Sequence, residues 1–183
     1  MGSRLLSKIL SLLFSVFLLF SCSSDLNFDQ VNDFKIEPVF VANLAYFNVP
    51  ANRLIDDGGT NIIYDVRDFD VFKNKFFTER LKKAEFDFEV ENNIERTFVL
   101  NMLLLDKDNQ VLETISFNVP SYKGTPNVIK YPTEVFENTR LDLLKQTQKI
   151  GFVVLIAAGP PLNANSEGNL RLRSSATAYL VIE

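Results

Sequence analysis

Four carboxylates, Glu85, Asp87, Glu89 and Glu91, occupy alternate positions, with Phe86, Phe88 and Val90 between them and Ala84 before. Paired carboxylates can do general acid–base work or hold a cation, so this row is the first place to look for chemistry. A period of two puts all four on one face of a strand, about 6.6–7 Å apart. Like charges at that spacing repel unless solvent, salt or opposite charges answer them. Arg171 and Arg173, two apart in a later strand, can answer two of them if the strands are neighbours, which predicts a structural row that fixes strand pairing. The rest of the usual catalytic inventory is missing. The 183 residues contain no histidine and a single cysteine, Cys22, which removes the commonest general base and the commonest transition-metal ligand. Ser/His/Asp and Cys/His machinery is therefore excluded.

The remaining polar groupings read as turns and loops. Asp106-Lys107-Asp108-Asn109-Gln110, followed by Glu113, begins like a calcium loop, but the sixth and twelfth places hold Val111 and Phe117 where an EF-hand needs Gly and Glu. A hairpin turn is expected there. Asp65, Asp68 and Asp70, with Asp56-Asp57, read as a solvated loop, with a weak calcium site as the other reading. Asp57-Gly58-Gly59-Thr60 lacks the lysine of a phosphate loop and reads as a turn. Ser3 to Lys8 lies in a segment that is removed, and Ser121-Tyr122-Lys123 is too close-set for a Ser/Lys dyad. No catalytic, metal-binding or cofactor-binding residue is assigned, and a non-enzymatic protein is expected.

Residues 1–21 divide as a secretory signal does. Arg4 and Lys8 are followed by the apolar run Ile9 to Phe20. Its twelve residues rise about 18 Å as a helix, short of the ~30 Å hydrocarbon core, so a cleaved segment is expected. Leu19-Phe20-Ser21-Cys22 resembles the lipobox of bacterial lipoproteins, although Phe20 is bulkier than that family's usual residue. The resemblance implies lipidation of the Cys22 thiol, cleavage before it and acylation of the new amino terminus. Two or three acyl chains satisfy the two-signal rule for stable anchoring. An ordinary signal peptide ending near a cysteine is the other reading; that Cys22 is the sole cysteine and stands where the motif requires argues against it. Ser23, where such lipoproteins would carry Asp for inner-membrane retention, implies the outer membrane, with periplasmic face and cell surface both open. Residues 22–33 are the lipidated end and a polar tether.

Residues 34–183 make one domain by length, with no further cysteine for a disulfide. Without Arg4 and Lys8 there are 17 basic against 23 acidic residues, a net of −6, which argues against nucleic acid as a partner. It also repels an anionic membrane in general, though a local patch can differ. Seventeen Phe and no Trp predict a phenylalanine-rich core.

The elements that must carry these residues are mostly strands. A meander is expected over 84–119: the acidic strand, a turn at Asn92-Asn93, the doubly apolar run 96–105, the 106–110 turn, and 111–119, where Glu113 interrupts the apolar face. Residues 34–49 predict an extended strand in which Pro38 needs an edge or a bulge. A short strand is expected at 61–66, a buried one at 151–158, and a closing one at 170–182. Helices are expected at 70–83, from Phe72, Phe76, Phe77 and Leu81, and at 134–148. Together these predict an all-β fold, a β-sandwich, immunoglobulin-like or related, with one or two short helices; a curved sheet wrapped on a helix is the alternative.

From the lipobox through Asn32-Asp33-Phe34 to Arg171-Leu172-Arg173-Ser174-Ser175-Ala176-Thr177, the chain resembles the uncharacterised single-domain lipoproteins common in Bacteroidota. That resemblance implies a location and no site residues. The function expected is a protein-binding or structural accessory module of an outer-membrane assembly, its partners the membrane through the anchor and other envelope proteins, with loop 159–169 as the contact surface. Two other readings compete: a carrier of an apolar ligand lined by 98–105 and 150–158, and a glycan binder using Tyr46, Tyr64, Tyr122, Tyr131 or Tyr179. The basic, aromatic segment 70–83 reads either as a cap on the core or as a surface for lipid headgroups.

Overall fold

The computed structural model describes residues 35–54, 62–125, 128–157 and 159–182. Cys22 with the rest of 1–34, and the 56–60 turn, lie outside the described residues, as do the side chains of Tyr64 and Asp65. In chain order the elements are β1 (Val39–Pro50), β2 (Ile62–Asp68), a 3-10 turn (Asp70–Lys73), α1 (Lys75–Arg80), β3 (Leu81–Asn92), β4 (Phe98–Leu105), β5 (Val111–Val119), β6 (Val128–Lys130), β7 (Glu134–Phe136), α2 (Asn138–Gln146), β8 (Lys149–Ile156) and β9 (Asn169–Leu180).

Alternation governs β3. Ala84, Phe86, Phe88 and Val90 are buried while the acidic residues between them reach solvent. On β9, Leu170, Leu172, Ser174 and Leu180 are buried on one face. β4 turns Phe98, Leu100, Met102 and Leu104 inward, each 0% exposed, while Val99, Asn101 and Leu103 are half-buried and Leu105 is buried, as the doubly apolar sequence predicts. On β5, a bulge at Leu112 sets Ile115, Phe117 and Val119 inward after the Glu113 interruption.

Two antiparallel sheets pack face to face. One has the order β1-β9-β3-β6, with β7 also paired to β3; the other has the order β2-β8-β4-β5. The fold is a β-sandwich. Among the described elements, strands that follow one another lie in opposite sheets except within β4–β5 and β6–β7, which is the jelly-roll arrangement of two interlocked Greek keys and not the immunoglobulin order. The core between the sheets centres on phenylalanine pairs: Phe86 with Phe136 and Phe88 with Phe117, each with centroids 4.7 Å apart.

Two expectations are corrected here. The meander over 84–119 breaks at Asn92: β3 and β4 lie in different sheets, and only β4 and β5 form a hairpin. The reason is the Asn92 side chain, 1% exposed, whose amide donates to the carbonyls of Arg96 and Pro120 while its oxygen accepts from the Ile94 N–H. It thereby supplies the bonds of a corner that crosses between sheets. The helix expected over 70–83 is the 3-10 turn plus six residues of α1, capped by Asn74, and Leu81 to Lys83 already belong to β3. Phe72 and Phe77 pack against the core, whereas Phe76 is exposed beneath the Arg80 guanidinium, 4.7 Å from the ring centre.

β1 is an edge strand, as Pro38 requires, and Pro38 precedes the continuous ladder. Its bulge falls at Leu44, where Ser174, 8% exposed, accepts from the Ala45 N–H at 2.9 Å and donates to the Ala45 carbonyl at 3.0 Å. The second expected helix is α2, entered after the short strand β7.

Candidate functional site

The acidic row is answered residue by residue. In the β3–β9 register Glu91 faces Arg171, Glu89 faces Arg173, and Glu85 faces Thr177 beside Tyr179. Arg171 reaches Glu91 at 2.9 Å and Arg173 reaches Glu89 at 3.1 Å, with Lys130 of β6 on the other Glu89 oxygen at 3.7 Å. Asp87 accepts from the Thr133 hydroxyl at 2.6 Å. Glu85 accepts from Lys83 and from the Tyr179 hydroxyl, both at 2.7 Å. Those two hydrogen bonds, the lysine's first, hold the Glu85 carboxyl below the usual carboxylate range, and the same contact raises Tyr179 and Lys83. All four carboxylates are so engaged: Glu85, Glu89 and Glu91 tie β3 to β9, and Asp87 ties it to the β6–β7 connection.

The other acidic groupings resolve as turns and pairs. Asp106 closes the hairpin by accepting from the Asp108 and Gln110 N–H groups at 2.8 Å, with Asn109 in the left-handed region at φ 61°. Glu113 lies 2.7 Å from Arg140, which also holds Glu134 and covers the Phe136 ring. Asp70 pairs with Lys73 across the 3-10 turn. Among the described residues no group of three or more His, Cys, Asp or Glu is placed to hold a metal ion.

Away from the acidic row, two further surfaces stand out. The first is a cleft of about 620 Å³ at the end of the sandwich where β1 and β3 finish. It brings the expected loop, Pro160 to Gly168, against Asn93–Glu95 and Tyr122. Leu162 is buried and anchors the loop, while Pro160, Pro161 and Glu167 are exposed. Arg96 fixes the start of the loop, donating from Nε to the Ala157 carbonyl at 2.8 Å and from Nη1 to the Pro160 carbonyl. Gly168 closes it at φ +99°, where the backbone runs so near Asn93 that a Cβ would sit 2.2 Å from its carbonyl oxygen. The sequence flagged this loop; it did not show that Asn93–Glu95 and Tyr122 build the opposite wall.

The second surface is at the other end. The strands of the β1 sheet run to twelve residues and those of the β2 sheet to seven to nine. Part of the longer sheet is therefore covered by the Phe69–Phe77 segment instead of by strands. Ala42, Ala84, Ala176 and Ala178 are small, and the space between them and Phe69, Phe72 and Phe77 is an apolar groove of about 490 Å³. Its mouth is lined by Phe40, Val41 and Val71, all exposed.

These positions redraw the ligand readings. The runs 98–105 and 150–156 fill the core, and the apolar groove is built by β1, β3, β9 and the 69–77 segment. Of the four tyrosines whose side chains are described, only Tyr46 is exposed; Tyr131 is half-buried, donating to the Asn118 carbonyl, and Tyr179 is held by Glu85.

The site is thus a loop-lined cleft on a jelly-roll sandwich. No protein-family model matches the chain, and no curated protein matches it. Among solved structures, the VP2 subviral particle of infectious bursal disease virus aligns with a TM-score of 0.47 at 10% identity, over 78% of this chain and 32% of that one. A protein of Parabacteroides distasonis classed as secreted aligns with a TM-score of 0.41 at 14% identity, over 64% of this chain and 38% of that one. The enzymatically active domain of tailspike protein 4 of bacteriophage CBA120 aligns with a TM-score of 0.37 at 9% identity, over 75% and 19%. The chain spans about a third of the length of the first of these structures. Among the described residues no helix is long and apolar enough to cross a membrane.

Proposed function

We propose that this chain is a non-enzymatic module of the cell envelope, lipid-anchored at the outer membrane through Cys22, that offers its end cleft to another envelope protein. The observation that supports the reading best is the polarity of the sandwich. The described chain enters at Ile36, bridged to Ile182 by two backbone hydrogen bonds of 2.9 Å, at the end where β1 begins. The cleft of Pro160–Gly168, Asn93–Glu95 and Tyr122 lies where β1 ends, a twelve-residue strand or about 40 Å away. A tether at one end leaves the other free to meet a partner, and loops on a rigid scaffold are where binding concentrates. The four carboxylates of β3, the first candidates for chemistry, are engaged by neighbouring side chains.

The test is mild crosslinking in cells followed by purification from membranes, with the native chain, Tyr122→Ala and Cys22→Ser in parallel. The native protein is expected to float with membranes and to carry a defined partner, Tyr122→Ala to float without it, and Cys22→Ser not to float. A partner retained undiminished by Tyr122→Ala, or a strictly solitary native protein, would overturn the cleft as the binding surface. A floating Cys22→Ser chain would overturn the anchor.

A further inference from the structure

Resting on the anchored reading above, we propose that the corner formed by Ile36, Val39, Phe40, Val41, Val71 and Phe76 docks on the lipid bilayer. Its apolar side chains enter the headgroup–acyl boundary, and Lys75 and Lys82 meet anionic headgroups.

Apolar exposure on this scale is the first ground. Val41 is 70% exposed, Val39 54% and Phe40 47%, and Ile36, Val71 and Phe76 are exposed too. The residues are contiguous across two elements: Phe40 and Phe77 rings lie 6.0 Å apart, Phe77 and Phe76 5.6 Å, and Val71 shares the groove mouth with Phe40 and Val41. Contiguous apolar surface of this kind marks a contact site. β1 adds that it ends its sheet and has no charged residue between Val39 and Pro50. Soluble proteins usually guard such an edge with charge.

The tether supplies the second ground. Twelve residues lie between Cys22 and Lys35, where the described chain begins. A chain of that length reaches at most about 45 Å. It joins the domain next to Ile36 and Val39, so this corner, and not the cleft, is the part that an acylated Cys22 holds nearest the membrane.

Charge is the third. The chain is acidic overall, at −4, yet the acids around this corner are mostly occupied: Glu37 by Lys35, Asp70 by Lys73, and Glu79 beside Arg80. Asp68, at the edge of the groove, is exposed. Lys75 and Lys82 are exposed and make no ion pair among the described residues. Lysines flanking an apolar face are the pattern that anionic lipid surfaces attract.

The chain contains no tryptophan, so a single introduced one is a clean depth probe. The acylated protein carrying Val41→Trp, Phe76→Trp or Val128→Trp is reconstituted into phosphatidylglycerol vesicles whose acyl chains are brominated. Val128 is exposed at the far end of the sheet, opposite Glu91. Bromolipid is expected to quench the probes at 41 and 76 at least about threefold more than the probe at 128. Adding Lys75→Glu and Lys82→Glu to Val41→Trp is expected to reduce that quenching. Vesicle-bound protein in which all three probes are quenched alike overturns docking and leaves the anchor standing. A probe at 41 that is blue-shifted but unquenched reports cover by protein, a second copy included, and also overturns it. Protein that does not float with the vesicles at all overturns the anchor and this proposal with it.

Discussion

Arg171 Nη1 stands 2.9 Å from Glu91 Oε2 across the β3–β9 ladder, with both side chains less than a third exposed. One position further along the same face, Arg173 meets Glu89. The two arginines are spaced by two because the carboxylates are, so both meet acids in this register and neither would after a slip of one residue. A slip of one residue would turn every phenylalanine of β3 to solvent.

Reversing Glu89 and Glu91 to arginine is expected to cost about 1–2 kcal/mol, or roughly 3–6 °C in Tm. Adding Arg171→Glu and Arg173→Glu should restore most of it, and 1 M salt should shrink both effects. Thermal melts of the three proteins read this directly. A combined variant no more stable than the first would show that the pairs do not set the register.

Stability should fall at both ends of the pH scale through one cluster. Glu85 is held below its ordinary value of 4.5 by Lys83 and Tyr179, so the stabilisation it contributes is present above that value and is lost as pH falls through its depressed folded value. Tyr179 and Lys83 are raised above 10.0 and 10.5, so their share is present below those values and is lost as pH rises through their raised ones. Glu85→Gln should flatten both limbs of a Tm-against-pH profile. An unchanged profile would mean that the cluster is too solvated to matter.

Asn92→Asp keeps the shape of the corner but replaces its only donor by an acceptor. The carbonyls of Arg96 and Pro120 would then face an oxygen at 1% exposure. A loss of about 2–4 kcal/mol in urea unfolding is expected, well above that of a surface substitution.

Gly168 and Gly124 separate close approach from backbone strain. Both have positive φ, at +99° and +89°, but only Gly168 has backbone within reach of an added Cβ. Gly124→Ala should cost about 1 kcal/mol, and Gly168→Ala about 3 kcal/mol or more, because the loop must also move off Asn93. Amide exchange should quicken at 163–168 in the second variant alone.

The sequence by itself determined the strand faces, because a period of two is a local property and each phenylalanine of β3 alternates with a carboxylate. It also determined the 106–110 turn, where Asp106 bonds to its own neighbours, and it named the arginine partners of the acidic row. The sandwich followed from short strands with turns between them. The tertiary structure alone decided which strands share a sheet: nothing local tells a hairpin at Asn92-Asn93 from a crossing, since the choice depends on carbonyls as far along as Pro120. It likewise cut the helix at 70–83 short, because Leu81 to Lys83 gain more from pairing with β9 than a further helical turn would supply. The cleft and the apolar corner were legible only in pieces. Each joins residues from distant stretches, Asn93 to Gly168 at one end and Phe40 to Phe77 at the other, and long-range packing alone brings such residues into contact.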